Sequence, residues 1–363
     1  MHGSRLRGCS AVILLAGLVL SSCALPAESD RTGTGGEDVP EYLRGLPFEE
    51  ERDLDESVSL DTEVLPVSPC ALHDPRAAAE LSGFTEDSLE PGPKLNECAL
   101  RVSDYENGRS SWVFGIDVGR DFAGGLREDT QLVLMEDTRF YRTISKSDGM
   151  VTTCSYYRDL VRGRAIALDV RFSGYVEDEE REREIRSHTC EIGKKYLRRT
   201  ARRWIDPPRR DENMTEPALL LGMRSPCVAM KWAMDNVPPV GGRVSSTRVH
   251  RFDPSNCTLE DKGGTGGAVE SRVSVDFVVT DLPENLRGRD EYEPVDVMGR
   301  PGFSVRPRDE CEITFPFRKD PYGIDVNVRY PDSEVLAQSI KVTTSTCENS
   351  KRFAEALLEK LQS

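Results

Sequence analysis

Ser68-Pro69-Cys70-Ala71-Leu72 and Ser225-Pro226-Cys227 open two stretches that read as one domain written twice. Outward from Cys70 the next cysteines are Cys98, Cys154 and Cys190, at steps of 28, 56 and 36. From Cys227 they are Cys257, Cys311 and Cys347, at steps of 30, 54 and 36. Superposing the two sets shifts every cysteine by 157 positions except the second, which shifts by 159. Thr189-Cys190 and Thr346-Cys347 close the copies alike. A fixed internal period of this kind marks a repeated structural unit.

Within each copy the hydrophobic pattern changes period in the same order. Asp74-Pro75 supplies an N-cap and first helical position before Ala77, Ala78, Ala79 and Leu81, and Gly83 is a stop. The second copy has a stretch of similar length, Val228 to Asn236, ending at Pro238-Pro239. A short strand follows around each second cysteine. Trp112, Phe114, Ile116 and Val118 then alternate in copy one, as Val273, Val275, Phe277 and Val279 do in copy two. Further strands are expected near Arg139 to Ile144 and Val295 to Met298, and at Cys154 to Tyr157 and Cys311 to Phe315. The last alternations are Ile166, Leu168, Val170 and Phe172, matched with Ile324, Val326, Val328 and Tyr330. A closing helix begins at each fourth cysteine. Its apolar face is Ile192, Tyr196, Leu197, Ala201 and Trp204, or Phe353, Ala354, Leu357 and Leu361.

The expected fold is therefore α+β: two tandem copies of a helix, a five-stranded antiparallel sheet and a helix, both helices covering one face. The copies span 67–206 and 219–363, joined by a linker, 207–218, that begins Pro207-Pro208-Arg209-Arg210.

Ahead of the first copy, Arg5 and Arg7 precede a ten-residue apolar run, Ala11 to Leu20, too short to span a bilayer. Residues 1–22 read as a secretory signal. Leu20-Ser21-Ser22-Cys23 resembles the bacterial lipobox, which implies that Cys23 is acylated and tethers the protein to the outer face of the cytoplasmic membrane. An ordinary signal with an incidental cysteine is the alternative. Residues 23–66 carry thirteen acidic side chains from Ala24 onward against Arg31, Arg44 and Arg52, ten of the chain's fifteen net negative charges. This composition predicts a disordered acidic tether.

Export suits the cysteines. Without Cys9 and Cys23, eight of ten remain, and outside the cytoplasm they read as structural disulfides. No close C-x-x-C pair suggests zinc. Four cysteines per copy allow three pairings. The sequential set is favoured: Cys70–Cys98, Cys154–Cys190, Cys227–Cys257 and Cys311–Cys347. A bridge closing about 30 residues contributes roughly 3 to 4 kcal/mol in the chain-entropy view.

Ser-Pro-Cys70-Ala-Leu, the Ala-Ala-Ala-Glu-Leu helix, the cysteine 28 further on and the late cysteine opening the last helix resemble an actinobacterial cell-envelope lipoprotein family. Its domain has no known function. The layout is also similar to the extracytoplasmic sensor domain of mycobacterial receptor serine/threonine kinases. The likeness covers Pro66 to Trp204 and, more faintly, Leu219 to Leu361. Where many such domains carry an aromatic after the second cysteine, Leu100 and Leu259 stand here. The family has no agreed catalytic residues, so none carries over.

The chain offers few signatures of chemistry. His73, His188 and His250 occupy unrelated contexts without H-E-x-x-H or G-x-S-x-G, and read as surface residues. Gly263-Gly264-Thr265-Gly266-Gly267 lacks the Lys-Ser/Thr of a phosphate loop and reads as a hairpin tip. No metal site and no cofactor is expected, and a pI near 5.0 argues against nucleic acid. The closing helix of copy one carries a basic stripe of Lys194, Lys195, Arg198, Arg199, Arg202 and Arg203. It is either a contact for anionic headgroups and envelope polyanions or a solvated face suited to a helix C-terminus. The function expected is a non-catalytic binding, sensor or scaffold module of the bacterial envelope, with an unknown ligand or partner protein. The alternative is a cell-wall- or lipid-active enzyme with an unrecognised site.

Overall fold

Asp74 and Gly83 bound a helix for the reasons the sequence gives. The Asp74 carboxylate accepts from the Ala77 amide at 3.0 Å, and Gly83 takes the left-handed conformation, φ 74°, that ends the turn. The structure, a computed structural model, describes residues 39–362 apart from 85, 104–109, 136, 148–149, 162, 175–178, 213–218, 238–246, 263–268, 282–290, 308 and 318–335. The signal, Cys23, the glycine run at 263–267 and the alternation at 324–330 lie outside the described residues.

The first repeat has helix α2 (Pro75–Ser82) and seven strands, with α1 reserved for the segment before it. The strands are β1 (Glu86–Pro91), β2 (Glu97–Ser103), β3 (Ser110–Asp121), β4 (Gln131–Met135), β5 (Thr138–Ser147), β6 (Met150–Val161) and β7 (Arg164–Gly174). Helix α3 (Gly125–Glu128) precedes β4, and α4 (Glu179–Ser187) and α5 (Thr189–Ile205) close the repeat. The second repeat runs α6 (Met230–Asn236), β8 (Thr247–His250), β9 (Asn256–Lys262), β10 (Val269–Asp281), β11 (Glu293–Val297), β12 (Arg300–Val305), β13 (Cys311–Pro316), β14 (Leu336–Thr344) and α7 (Cys347–Gln362).

The two sheets have one topology. The first is ordered β1-β2-β3-β7-β6-β5-β4 and the second, read from its other edge, β8-β9-β10-β14-β13-β12-β11, with every pairing antiparallel. Each sheet therefore has seven strands rather than five. The extra edge strands escaped the sequence reading for a physical reason. Glu86–Pro91 has no apolar alternation, and β11 and β12 form a hairpin through Met298 and Gly299, both at positive φ, where one strand was expected. The strand that pairs with both β10 and β13 is Leu336–Thr344.

One face of the first sheet buries Trp112, Phe114, Ile116, Ile166, Leu168 and Val170 beneath Tyr196, Leu197 and Trp204 of α5. The helix sits close because Gly193 lacks a side chain: a Cβ there would lie 2.8 Å from the Tyr156 ring. Disulfides fasten both ends of each repeat. Cys70–Cys98 and Cys227–Cys257 tie the opening turn to the second strand; Cys154–Cys190 and Cys311–Cys347 tie the closing helix to the sixth.

The disordered tether expected over 23–66 is corrected from Val39 onward. Helix α1 (Glu51–Ser59) begins with a reciprocal cap between Glu50 and Asp53. Leu43 and Leu46 are buried in the core of the second repeat, and Leu60, Val64 and Val67 in that of the first. Phe48 pairs with Val249, whose amide donates to the Pro47 carbonyl at 2.9 Å. The acidic count concealed these apolar residues, which bury in the cores of the two repeats. The start of the linker is pinned to the first repeat. Arg209 bridges to Val67, and the Ser68 amide donates to Pro208 at 2.8 Å. Both repeats thus belong to one unit, Val39–Ser363.

Candidate functional site

Helix α5 carries the six cations expected, and the structure divides them. Arg199 pairs with Glu80 of α2 at 2.7 Å. Arg203 donates to the His73 carbonyl and lies 3.4 Å from Asp74. These two clamp α5 onto α2. Lys195, Arg198 and Arg202 are exposed and Lys194 half-buried, and none has an ion-pair partner among the described residues. Residues 195, 198 and 202 recur at helical spacing, and Ile205 extends their line as an exposed apolar residue.

Between the repeats lies a polar seam that the sequence did not announce. The turn at 92–96 of the first repeat docks on the second: the Val279 amide donates to the Pro93 carbonyl at 3.0 Å, and Lys94 pairs with Asp253 at 2.9 Å. Ser255 donates to Asn96 Oδ1 at 3.1 Å. Three buried arginines close the seam. Arg210 donates to the carbonyls of Leu65, Leu219 and Leu95 at 2.9, 2.9 and 2.6 Å. With no carboxylate beside it, burial pushes its pKa down to about 9, so it stays charged at neutral pH. Arg251 donates to the Ser57 and Pro254 carbonyls, both at 2.9 Å, and contacts Asp61 at 2.6 Å. Asp61 also accepts from Tyr42 at 2.7 Å and Ser225 at 2.9 Å. Arg164 joins Glu56 at 2.8 Å to the Phe252 carbonyl at 3.0 Å.

Beside the seam, Glu97 and Asp117 are register partners on β2 and β3, two carboxylates directly opposed. Burial, and then Asp117, raises the Glu97 pKa; burial also raises that of Asp117 against the pull of Arg120. Arg120 bonds Asp117 and Asp169, both at 2.8 Å. The second repeat relieves the same place. There Asn256 stands opposite Asp276 and donates to it at 2.7 Å. Like charges across a strand pair cost stability. Both carboxyls of this pair are shifted upward, and only knowledge of the strand register could have found it.

His73 is buried, contrary to the surface reading. Its Nδ1 and Nε2 lie 3.1 Å from the Tyr196 hydroxyl and the Cys98 carbonyl. The Tyr196 hydroxyl accepts from the Asp74 amide at 2.9 Å, so it donates to Nδ1 while Nε2–H donates to Cys98. Burial outweighs the Cys98 bond and pushes the ring's pKa down to about 4. The ring is thus a neutral structural brace. His188 is exposed, and His250 Nε2 lies 3.9 Å from Glu260. Among the described residues, no group of three or more His, Cys, Asp or Glu side chains is arranged to hold a metal. No described helix is long and apolar enough to cross a membrane.

No family model matches the chain, and no curated protein does. Among solved structures, the crystal structure of the di-domain ARO/CYC BexL from the BE-7585A biosynthetic pathway is similar over 82% of this chain and 90% of its own. The identity is 10% and the TM-score 0.15, too low for the likeness to carry any argument.

Proposed function

We propose that the protein is a lipid-anchored, extracytoplasmic module of the bacterial cell envelope that binds rather than catalyses. In this reading Cys23 carries the acyl chains, and the outward face of α5 meets anionic headgroups or envelope polymers. The observation that supports it is the division of labour on α5. Arg199 and Arg203 are engaged with Glu80 and Asp74, whereas Lys194, Lys195, Arg198 and Arg202 form no ion pair within the described fold. A basic residue near an anionic surface contributes about 1 kcal/mol, so four give about 4 kcal/mol, roughly a thousandfold in partitioning. The disulfide framing of both repeats suits an oxidising compartment.

Co-sedimentation with vesicles of phosphatidylglycerol or phosphatidylcholine tests the surface. Binding is expected to the first and not the second, to fall with salt, and to be lost when Lys194, Lys195, Arg198 and Arg202 become Gln. Equal binding to both vesicles, or no change in the variant, defeats the reading of α5. Cys23→Ala is expected to release the protein into the medium, and its retention on cells would defeat the anchor.

A further inference from the structure

Among the described residues, the strands at sheet edges are β1, β4, β8 and β11. An edge strand presents unpaired backbone groups to other chains, and proteins guard such edges with charge or proline. Three of these four are guarded: β1 carries Glu86, Asp87, Glu90 and Pro91; β8 carries Arg248; β11 carries Glu293, Pro294 and Asp296. Strand β4 reads Gln131-Leu132-Val133-Leu134-Met135, with neither charge nor proline.

The second repeat supplies an internal control. Strands β4 and β11 hold the same place in one topology and have the same exposure at each position: exposed, exposed, half-buried, exposed, buried. Leu132 therefore stands where Pro294 stands, and Leu134 where Asp296 stands. Both leucines face solvent, 52% and 63% exposed. They share the face of the sheet remote from the core, opposite Tyr141 and Arg139 of β5. On that face Arg127 covers the Tyr141 ring, 5.0 Å from its centroid, and its neighbour Leu126 is exposed as well.

We infer that β4 is a self-association edge, on which a second copy of this chain adds its own β4 antiparallel about a two-fold axis through Val133. The strand is complementary to itself in that register. Leu132 faces Leu134 of the other copy, twice; Val133 faces its own equivalent; Gln131 faces Met135. No charge is desolvated within the pairing, whereas the same operation on β11 would set Asp296 against Pro294, which has no amide to donate. A five-residue pairing buries less than the roughly 1,200 Å² of a standard interface, so the dimer is weak and concentration-dependent.

Sedimentation equilibrium of the full soluble chain from Ala24 tests the inference, beside the double variant Leu132→Pro/Leu134→Asp. That variant copies the guarded edge already carried by the second repeat, and near-ultraviolet circular dichroism checks that it folds. The wild type is expected to pass from monomer to dimer as concentration rises, and the variant to dimerise at least about tenfold more weakly. Should Leu132→Pro disturb the hairpin, Leu134→Asp alone gives the same reading, since it places an acid opposite Leu132 of the other copy. Three outcomes overturn the proposal: a wild type monomeric up to about 1 mM, an unchanged dimer in Leu134→Asp, or a monomeric wild type that instead captures a synthetic apolar strand peptide.

Discussion

Lys94 and Asp253 stand at equivalent places in the two repeats, 159 positions apart, and bond to each other. The shift is that of the second cysteines, Cys98 and Cys257. Asn96 and Ser255, also 159 apart, meet in the same way. Arg210 and Arg251 clasp Leu95 and Pro254, a third equivalent pair. The repeats therefore face each other about a pseudo-two-fold axis, through matching turns that have diverged into complementary residues, as in the closed pairing of identical subunits.

Exchange of the seam charges is the direct test. Lys94→Asp and Asp253→Lys are each expected to lower stability by no more than about 1 kcal/mol, because Lys94 is 46% exposed and solvent screens the pair. The double exchange should recover most of the loss. Urea denaturation of the four chains gives the coupling energy.

Asp61 is worth more because its partner is buried. Asp61→Ala leaves the Arg251 guanidinium, 1% exposed, without a carboxylate and removes the acceptor for Tyr42 and Ser225. The expected cost is about 3 to 5 kcal/mol, read from the denaturation midpoint. Adding Arg251→Met should return part of it.

Acid should weaken the fold through His73. An unfolded imidazole takes up its proton near pH 6.5, while the buried ring resists to about 4. Its contribution is complete above pH 6.5 and is lost as pH falls through that window, by up to about 3 kcal/mol. His73→Gln keeps a donor for the Cys98 carbonyl and cannot titrate. Midpoints measured from pH 7 to 4 should fall less steeply in this variant.

Glu97 acts in the opposite sense. Its folded pKa is raised, so the stability present below the unfolded value is lost as pH rises through the folded one. Glu97→Gln is expected to stabilise by a few tenths to about 1 kcal/mol at pH 7 and by nothing near pH 3. Stabilisation equal at both pH values would remove the carboxylate pair from the explanation.

The repeat, the helix at Asp74 and the inward faces of β3 and β7 were legible because each rests on local chemistry: cysteine period, a cap, alternation. The edge strands were not, since Glu86–Pro91 is held by pairing with β2 and not by an apolar face of its own. Nor were residues 39–66. There the charges set the composition, while Leu43, Leu46, Leu60 and Val64 set the structure. On α5 the stripe was legible, but not its division, because Glu80 and Asp74 reach Arg199 and Arg203 only in three dimensions.

The leading segment has a consequence for biogenesis. Asp61 precedes Ser225 by 164 positions, and Leu43 and Leu46 bury themselves in a cluster drawn mostly from the second repeat. A polypeptide made amino end first holds those leucines without most of their partners until residues from Leu219 onward have followed. Over that interval the leading segment lacks the partners that order it, the state in which exposed apolar side chains are most open to misassembly.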